Sequence, residues 1–238
     1  MNLIVVKDYE AMSLKAADIF SALLTLKRDC VLGLATGSTP VGMYKELQRR
    51  NRNGEISFKD VKTVNLDEYY PISPDNEQSY RHFMNENLFN HVDINLSNTH
   101  VLNGLAEDPD KECAEYDALI DSLGGIDLQV LGIGRNGHIG FNEPDEFLIP
   151  VTHKTKLTES TIEANSRFFA SLDEVPRYSL TMGMGSILKA RKIIILVSGK
   201  EKKEAARRMM EGVLDTRCPA SFLSLHPDVT VIATEDAI

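Results

Sequence analysis

Short apolar runs alternate with helical periods along almost the whole chain. Residues 2–6 predict a first strand, and Ala11, Leu14, Ala17, Ile19, Leu23 and Leu24 trace one face of a helix. Cys30 to Ala35 predicts the next strand. Thr36-Gly37-Ser38-Thr39-Pro40 turns it into a helix through Gln48, with Thr39 as N-cap and Pro40 at the first helical position. The pattern then predicts a strand over Lys62 to Leu66, a helix over Tyr80 to Phe89, an extended stretch over Thr99 to Leu102, and a helix over Cys113 to Leu123. A buried strand follows over residues 126–133, and residues 145–165 are polar without a clear period. A helix over Leu180 to Lys189, a strand over Lys192 to Val197, a basic helix over Glu201 to Glu211 and a strand over Val229 to Thr234 complete the chain. Alternation of this kind predicts an α/β fold: an open, mostly parallel sheet flanked by helices, a Rossmann-like three-layer sandwich. No repeat or Gly/Ser-rich linker interrupts it, so a single domain over 1–238 is expected.

In an open parallel sheet, ligands bind beyond the carboxyl ends of the strands. Beyond the strand at 126–133 the sequence changes character: Gly132, Gly134, Gly137 and Gly140 break it up, Asn136, His138, Asn142 and Glu143 sit in the break, and Pro144 closes it. Gly132-x-Gly134-x-x-Gly137 matches the dinucleotide fingerprint letter for letter. That fingerprint needs a helix opening at its third glycine and an acid about twenty positions on. Here a further glycine and a proline follow, and Glu159 ends no predicted strand, so a nucleotide site is not expected.

Two other strand ends fall on the same edge. Thr36 to Thr39 points the amides and positive end of a helix outward, which suits a phosphate through Gly37, Ser38 and Thr39, although by itself such a turn does no more than start a helix. It is not a P-loop, because no lysine follows its last glycine. Asp67 and Glu68 place two acids just past an apolar strand. They could cap a turn, or one could serve as a base while the other orients a ligand. The six histidines show no HxH or HExxH spacing, so no metal site is expected. His138 shares its loop with Asn136 and Glu143, which could hold its tautomer and tune its basicity. Arg167 and Lys202 are candidate phosphate cations, although Lys202 stands at a helix start, where the dipole disfavours a cation.

The 238 residues carry a net charge of −9, which argues against a nucleic-acid surface. The 42% apolar content is ample for a core. The amino terminus has only a four-residue apolar run, no segment approaches membrane-spanning length, and three widely spaced cysteines form no CxxC. These features predict a cytoplasmic protein with reduced thiols.

Taken together, LGLATGSTP, VNLDEYY, LGIGRNGHIGFNEP, ANSRFF and ILVSGKEKKEA resemble the glucosamine-6-phosphate deaminases in order and over nearly the whole chain. The 6-phosphogluconolactonases share the glycine-rich turn and histidine but lack the FNEP ending. The resemblance implies conversion of glucosamine 6-phosphate and water to fructose 6-phosphate and ammonium, a step in amino-sugar catabolism, with no cofactor. It implies that His138, oriented by Glu143 and Asn136, opens the sugar ring. Asp67 would move the proton from C2 to C1. Gly37, Ser38, Thr39, Arg167 and Lys202 would hold the phosphate, with Glu68 in the substrate site.

The chain departs from the family in two places. Asn136 stands where some members have Asp, so its help to His138 must come by hydrogen bonding. The segment after FNEP is poor in basic residues and the chain stops soon after its last strand, unlike the hexameric members that respond to an amino-sugar phosphate effector. A monomer without that response is expected, and a mobile lid within 145–180. A lactone hydrolase and a non-catalytic sugar-phosphate sensor are the alternatives; the joint presence of Asp67, His138 and Glu143 argues for turnover.

Overall fold

The computed structural model of the protein describes residues 1–166, 169, 171 and 174–238, without the side chains at 160, 164 and 165. In chain order its elements are β1 (Asn2–Val6), α1 (Tyr9–Leu26), β2 (Val31–Leu34), α2 (Val41–Arg52), β3 (Lys62–Asn65), β4 (Asp67–Tyr70), α3 (Tyr80–Asn87), β5 (Thr99–His100), α4 (Pro109–Ser122) and β6 (Leu128–Gly132). There follow β7 (His153–Lys156), α5 (Glu159–Ser166), β8 (Tyr178–Thr181), α6 (Met184–Leu188), β9 (Ile193–Val197), α7 (Lys203–Met210) and β10 (Val229–Thr234).

Seven strands form one sheet in the order β1-β10-β9-β6-β2-β3-β5, and every pairing in it is parallel. β2, β9 and β10 are buried at every residue. Parallel strands reach that state only when helices cover both faces. α1 packs on β9, β10 and α2 through Met12, Ala16, Ala17 and Phe20, all fully buried. The edge strand β1 leaves Leu3 and Val5 about half exposed, at 44% and 48%. Strand order reverses between β2 and β6: β3 and β5 lie to one side, β9 and β10 to the other. A crevice opens at such a switch point, beyond the carboxyl ends of the strands.

A second, antiparallel sheet, β4-β8-β7, stands at that end. The alternating pattern did not reveal it. β7 reads His153-Lys154-Thr155-Lys156, with no apolar face, because its long side chains lie over the sheet; Lys154 Nζ sits 4.5 Å from the Tyr178 ring centroid and 4.8 Å from that of Tyr70. The expected helix over Leu180 to Lys189 is corrected to a strand followed by the five-residue α6. Gly183 separates the two, and a side chain there would meet the carbonyls of Val151 and Ile149 at 2.3 and 2.5 Å. Thr39 is not the N-cap of α2. Pro40 takes that position, and the first helical bond runs from Tyr44 N to Pro40 O at 3.0 Å. A cap from Thr39 is unnecessary because the Tyr9 hydroxyl accepts from Gly42 N at 2.8 Å and donates to Ser38 O at 2.9 Å.

At the opposite edge, Asp127 ties three segments together. Its carboxylate accepts from Val31 N at 2.8 Å, Lys27 Nζ at 2.9 Å and Arg191 Nη1 at 3.0 Å. Burial opposes ionisation, but Lys27, the Val31 amide and Arg191 hold the carboxyl below the ordinary range. Since the folded value is depressed, the stability it brings is present above the unfolded value and lost as pH falls through the folded one. Asp127→Ala should therefore lower stability to urea by about 1–3 kcal/mol at pH 7, the cost of orphaning the buried Val31 amide, since the exposed Lys27 and Arg191 heads are resolvated and add little. The difference from wild type should shrink below about pH 4.

Candidate functional site

Leu66 joins the two sheets. Its amide donates to Leu34 O at 3.1 Å in the large sheet, and its carbonyl accepts from Met182 N at 2.8 Å beside the small one. Asp67 follows as the first residue of β4, opposite Thr181. Side chains alternate along a strand, so Asp67 and Glu68 point to opposite faces.

The Asp67 carboxyl is 6% exposed, and among the described residues no group donates a hydrogen bond to it. It faces the glycine-rich loop beyond β6: a side chain built at Gly140 would lie 3.1 Å from Asp67 Oδ2 and from Thr181 Oγ1. Gly140 has φ +57°, so glycine satisfies both the backbone and the close approach. Burial, and then the charge of Glu68, push Asp67 up to about 8.

Glu68 does not join this face, which corrects the expectation that it contacts substrate. It is 1% exposed, and its oxygens accept from Tyr69 N at 2.9 Å, Tyr80 N at 2.8 Å and Arg81 N at 2.9 Å. It therefore holds the start of α3 against β4. Burial raises it to about 7 against the pull of those amides.

The loop from Gly134 to Pro144 is folded by its own hydrogen bonds. Gly137 N donates to Gly134 O and Gly134 N to His138 O, at 3.0 and 2.9 Å, while Asn142 Nδ2 bridges the carbonyls of Ile139 and Met182. The His138 ring lies on Gly134, where a side chain would come within 2.3 Å of it. Glu143 gathers the polar groups. Its Oε2 accepts from Asn136 Nδ2 at 2.8 Å and lies 3.4 Å from His138 Nδ1, an electrostatic contact outside hydrogen-bond geometry; its Oε1 accepts from Thr161 Oγ1 at 2.8 Å. Burial opposes ionisation, but His138, Thr161 and Asn136 hold the Glu143 carboxyl down at about 2.

The Thr36–Pro40 turn and the start of α7 flank this loop, because β2 and β9 are the two neighbours of β6. Gly37 has φ +90°, and among the described residues nothing accepts from the amides of Gly37, Ser38 and Thr39. Lys202 is half-buried. Burial lowers its pKa, with Arg135 adding to the effect against Glu201. Two cations close enough to act on each other, at the end of the strand system that also carries these amides, suit an anion. Arg167 lies outside the described residues. The structure thus brings Asp67, Asn136, His138 and Glu143 to one loop and sets Gly37, Ser38, Thr39 and Lys202 on the strand ends beside it. Sequence reasoning missed Thr161, Thr181, Arg135 and Tyr9; only Arg135, inside the glycine-rich loop, carried a signal that could have been read. Among the described residues no group of three or more His, Cys, Asp or Glu is arranged to hold a metal, and no helix is long and apolar enough to cross a membrane. The surface groove lined by Arg28, Lys59 and Asp93 lies at the amino ends of β2 and β3, and Asp93 there is taken up by Asn51, Ser57 and Phe58.

Residues 9–232 match the family model of the glucosamine-6-phosphate isomerases and 6-phosphogluconolactonases. The chain belongs to this family. It is 58% identical over 236 residues to the glucosamine-6-phosphate deaminase of Clostridium beijerinckii, covering 99% of this chain and 98% of that one. It is 55% identical to the deaminase of Thermoanaerobacter pseudethanolicus over 237 residues, 100% of this chain and 94% of the other. The solved structure of a monomeric glucosamine-6-phosphate deaminase superposes with a TM-score of 0.96 at 46% identity, covering 100% of this chain and 98% of that chain. A 6-phosphogluconolactonase from Thermotoga maritima shares the fold alone, with a TM-score of 0.76 at 21% identity over 98% of both chains.

Within this family member, the Asp67 environment has a measurable consequence. Its folded pKa lies above the unfolded value, so the protonated carboxyl favours the folded state. That contribution is complete below about pH 4 and lost as pH rises through about 8. Asp67→Asn should raise the urea midpoint at pH 9 and change it little at pH 4. An unchanged midpoint at both would mean that the carboxyl is solvated.

Proposed function

We propose that the protein is a glucosamine-6-phosphate deaminase, producing fructose 6-phosphate and ammonium. The observation that carries the reading is the Asp67 carboxyl, buried, without a donor among the described residues, and turned toward the loop that holds His138 and Glu143. A carboxyl so placed suits removal of a proton from carbon.

The reaction can be followed residue by residue. His138 takes the proton of the anomeric hydroxyl and returns it to the ring oxygen, which opens the sugar. Glu143 stabilises the imidazolium that forms in between, and Asn136 holds Glu143 without sharing the proton. Asp67 then removes the C2 proton and delivers it to C1, while a proton from the C2 ammonium passes to O1, leaving an iminium at C2 that water hydrolyses to the ketose and ammonium. At rest Asp67 is held protonated by burial. The ammonium on C2 of the substrate places a positive charge beside it, and an opposite charge favours the ionised form. The substrate therefore helps to create its own base. Gly37, Ser38, Thr39 and Lys202 take the phosphate, joined by Arg167, and binding at that remote group holds C1 and C2 in register with Asp67.

We read residues 1–238 as one unit, because Asp67 belongs to the small sheet and the His138 loop to the large one. We further read it as a cytoplasmic monomer that lacks effector activation. The buried free thiols of Cys30, Cys113 and Cys218 and the monomeric deaminase at 46% identity support that reading. The segment 145–180 acts as a cover over the sugar, a role supported by the contact of Thr161 with Glu143.

Purified protein should release ammonia and fructose 6-phosphate from glucosamine 6-phosphate with a hyperbolic dependence on substrate, unaltered by N-acetylglucosamine 6-phosphate. Asp67→Asn should lower kcat by roughly 10²–10⁴-fold with KM little changed. Hydrolysis of 6-phosphogluconolactone without ammonia release would refute the assignment, and light scattering at twice the chain mass would refute the monomer.

A further inference from the structure

The Glu143 carboxylate is gripped from two sides: by Asn136 and His138 in its own loop, and by a hydroxyl from α5, an element the loop does not contain. Thr158 caps α5. Its Oγ1 accepts from Thr161 N at 3.2 Å and its carbonyl from Ile162 N at 2.9 Å. The Thr158 and Thr161 hydroxyls lie 2.9 Å apart, and Thr161 Oγ1 lies 2.8 Å from Glu143 Oε1.

The donor directions follow from what each group can do. An ionised carboxylate only accepts, so Thr161 must donate to Oε1 and its oxygen must accept from Thr158. Asn136 likewise must donate to Oε2, which leaves its own oxygen for the His138 amide, 3.2 Å away. With Oε1 committed to α5, Oε2 is the oxygen left facing the imidazole, 3.4 Å from Nδ1. A nitrogen facing a carboxylate oxygen is favoured as the protonated one, and the other nitrogen then keeps its lone pair.

We propose that Thr161 is a positioning residue: its hydroxyl fixes the Glu143 carboxylate in the orientation that keeps the His138 proton on Nδ1 and leaves Nε2 as the basic nitrogen presented to substrate. The identity of that substrate rests on the deaminase reading; the tautomer does not. Thr161, on α5 and outside the glycine-rich loop, thereby sets which nitrogen of the histidine acts.

The test compares wild type, Thr161→Val and Thr161→Ser with ¹⁵N-labelled histidine, reading the imidazole nitrogen shifts of His138 without substrate and then steady-state ammonia release. The valine variant keeps the shape and loses the donor. It should lose the Nδ1–H signature and lower kcat roughly ten- to hundredfold, the weight of one hydrogen bond to a charged group, with KM nearly unchanged. The serine variant should recover both. A wild-type imidazole spectrum in Thr161→Val overturns the proposal whatever its kcat, and so does a serine variant as impaired as the valine one, which would assign the effect to the methyl group. Wild type that shows the Nδ1–H signature but releases no ammonia would sink the deaminase reading and leave the positioning role standing.

Discussion

The amide of Leu66 is bound in the large sheet and its carbonyl beside the small one, so the chain passes from one to the other without slack. Asp67 emerges at that seam with its carboxyl already aimed, because the direction of a strand's first side chain is set by the pairing of its backbone. The Gly140 approach completes the placement. A carboxyl packed against a main chain, with no donor among the described residues, has a strong preference for its proton. The rest of the site is arranged around that position: the His138 loop is folded by internal bonds to reach it, and Glu68 pins α3 behind it.

Glu68 shows why adjacent acids need not share a task. Both are buried, yet one is saturated with three amides and the other has no donor among the described residues. The saturated acid is the easier of the two to ionise, and its charge then acts on its neighbour, keeping Asp67 protonated to higher pH. An acid pair that looks symmetrical in sequence is divided by the pleat into a structural anchor and a carboxyl turned toward the glycine-rich loop.

Much of the large sheet was legible because its strands are buried on both faces and read as continuous apolar runs, as in Ile193–Val197 and Val229–Thr234. The small sheet was not. β4 reads Asp67-Glu68-Tyr69-Tyr70, in which buried acids mimic a polar loop, and β7 is polar throughout. Leu157, Ile162 and Val175, which join Tyr69 and Phe141 in a separate apolar cluster, are too far apart in sequence to give a period. The Asn136, His138 and Glu143 loop announced itself through its glycines, since a chain with so many cannot be helix or strand. Thr161 could not be found that way. A threonine in the first turn of a helix is an ordinary residue, and only the folded chain brings its hydroxyl to Glu143.

The Glu143 and Asp67 carboxyls are tuned in opposite directions by burial of similar kind. Glu143 loses solvent but gains Asn136, Thr161 and His138, and ends as a fixed anion; Asp67 loses solvent and gains no donor among the described residues, and ends as an acid. Environments that push a pair of carboxyls apart in this way separate their roles. The permanent anion can steady a cationic imidazole but is too weak a base to take a proton from carbon. The reluctant anion, once ionised by a nearby positive charge, is a strong base for a carboxylate and returns its proton readily. On the proposed mechanism, exchanging the two environments would leave a histidine without a counter-charge and a carbon acid without a base, so the proposed division of Asp67 for proton transfer and Glu143 for electrostatic support accords with the supply of hydrogen bonds.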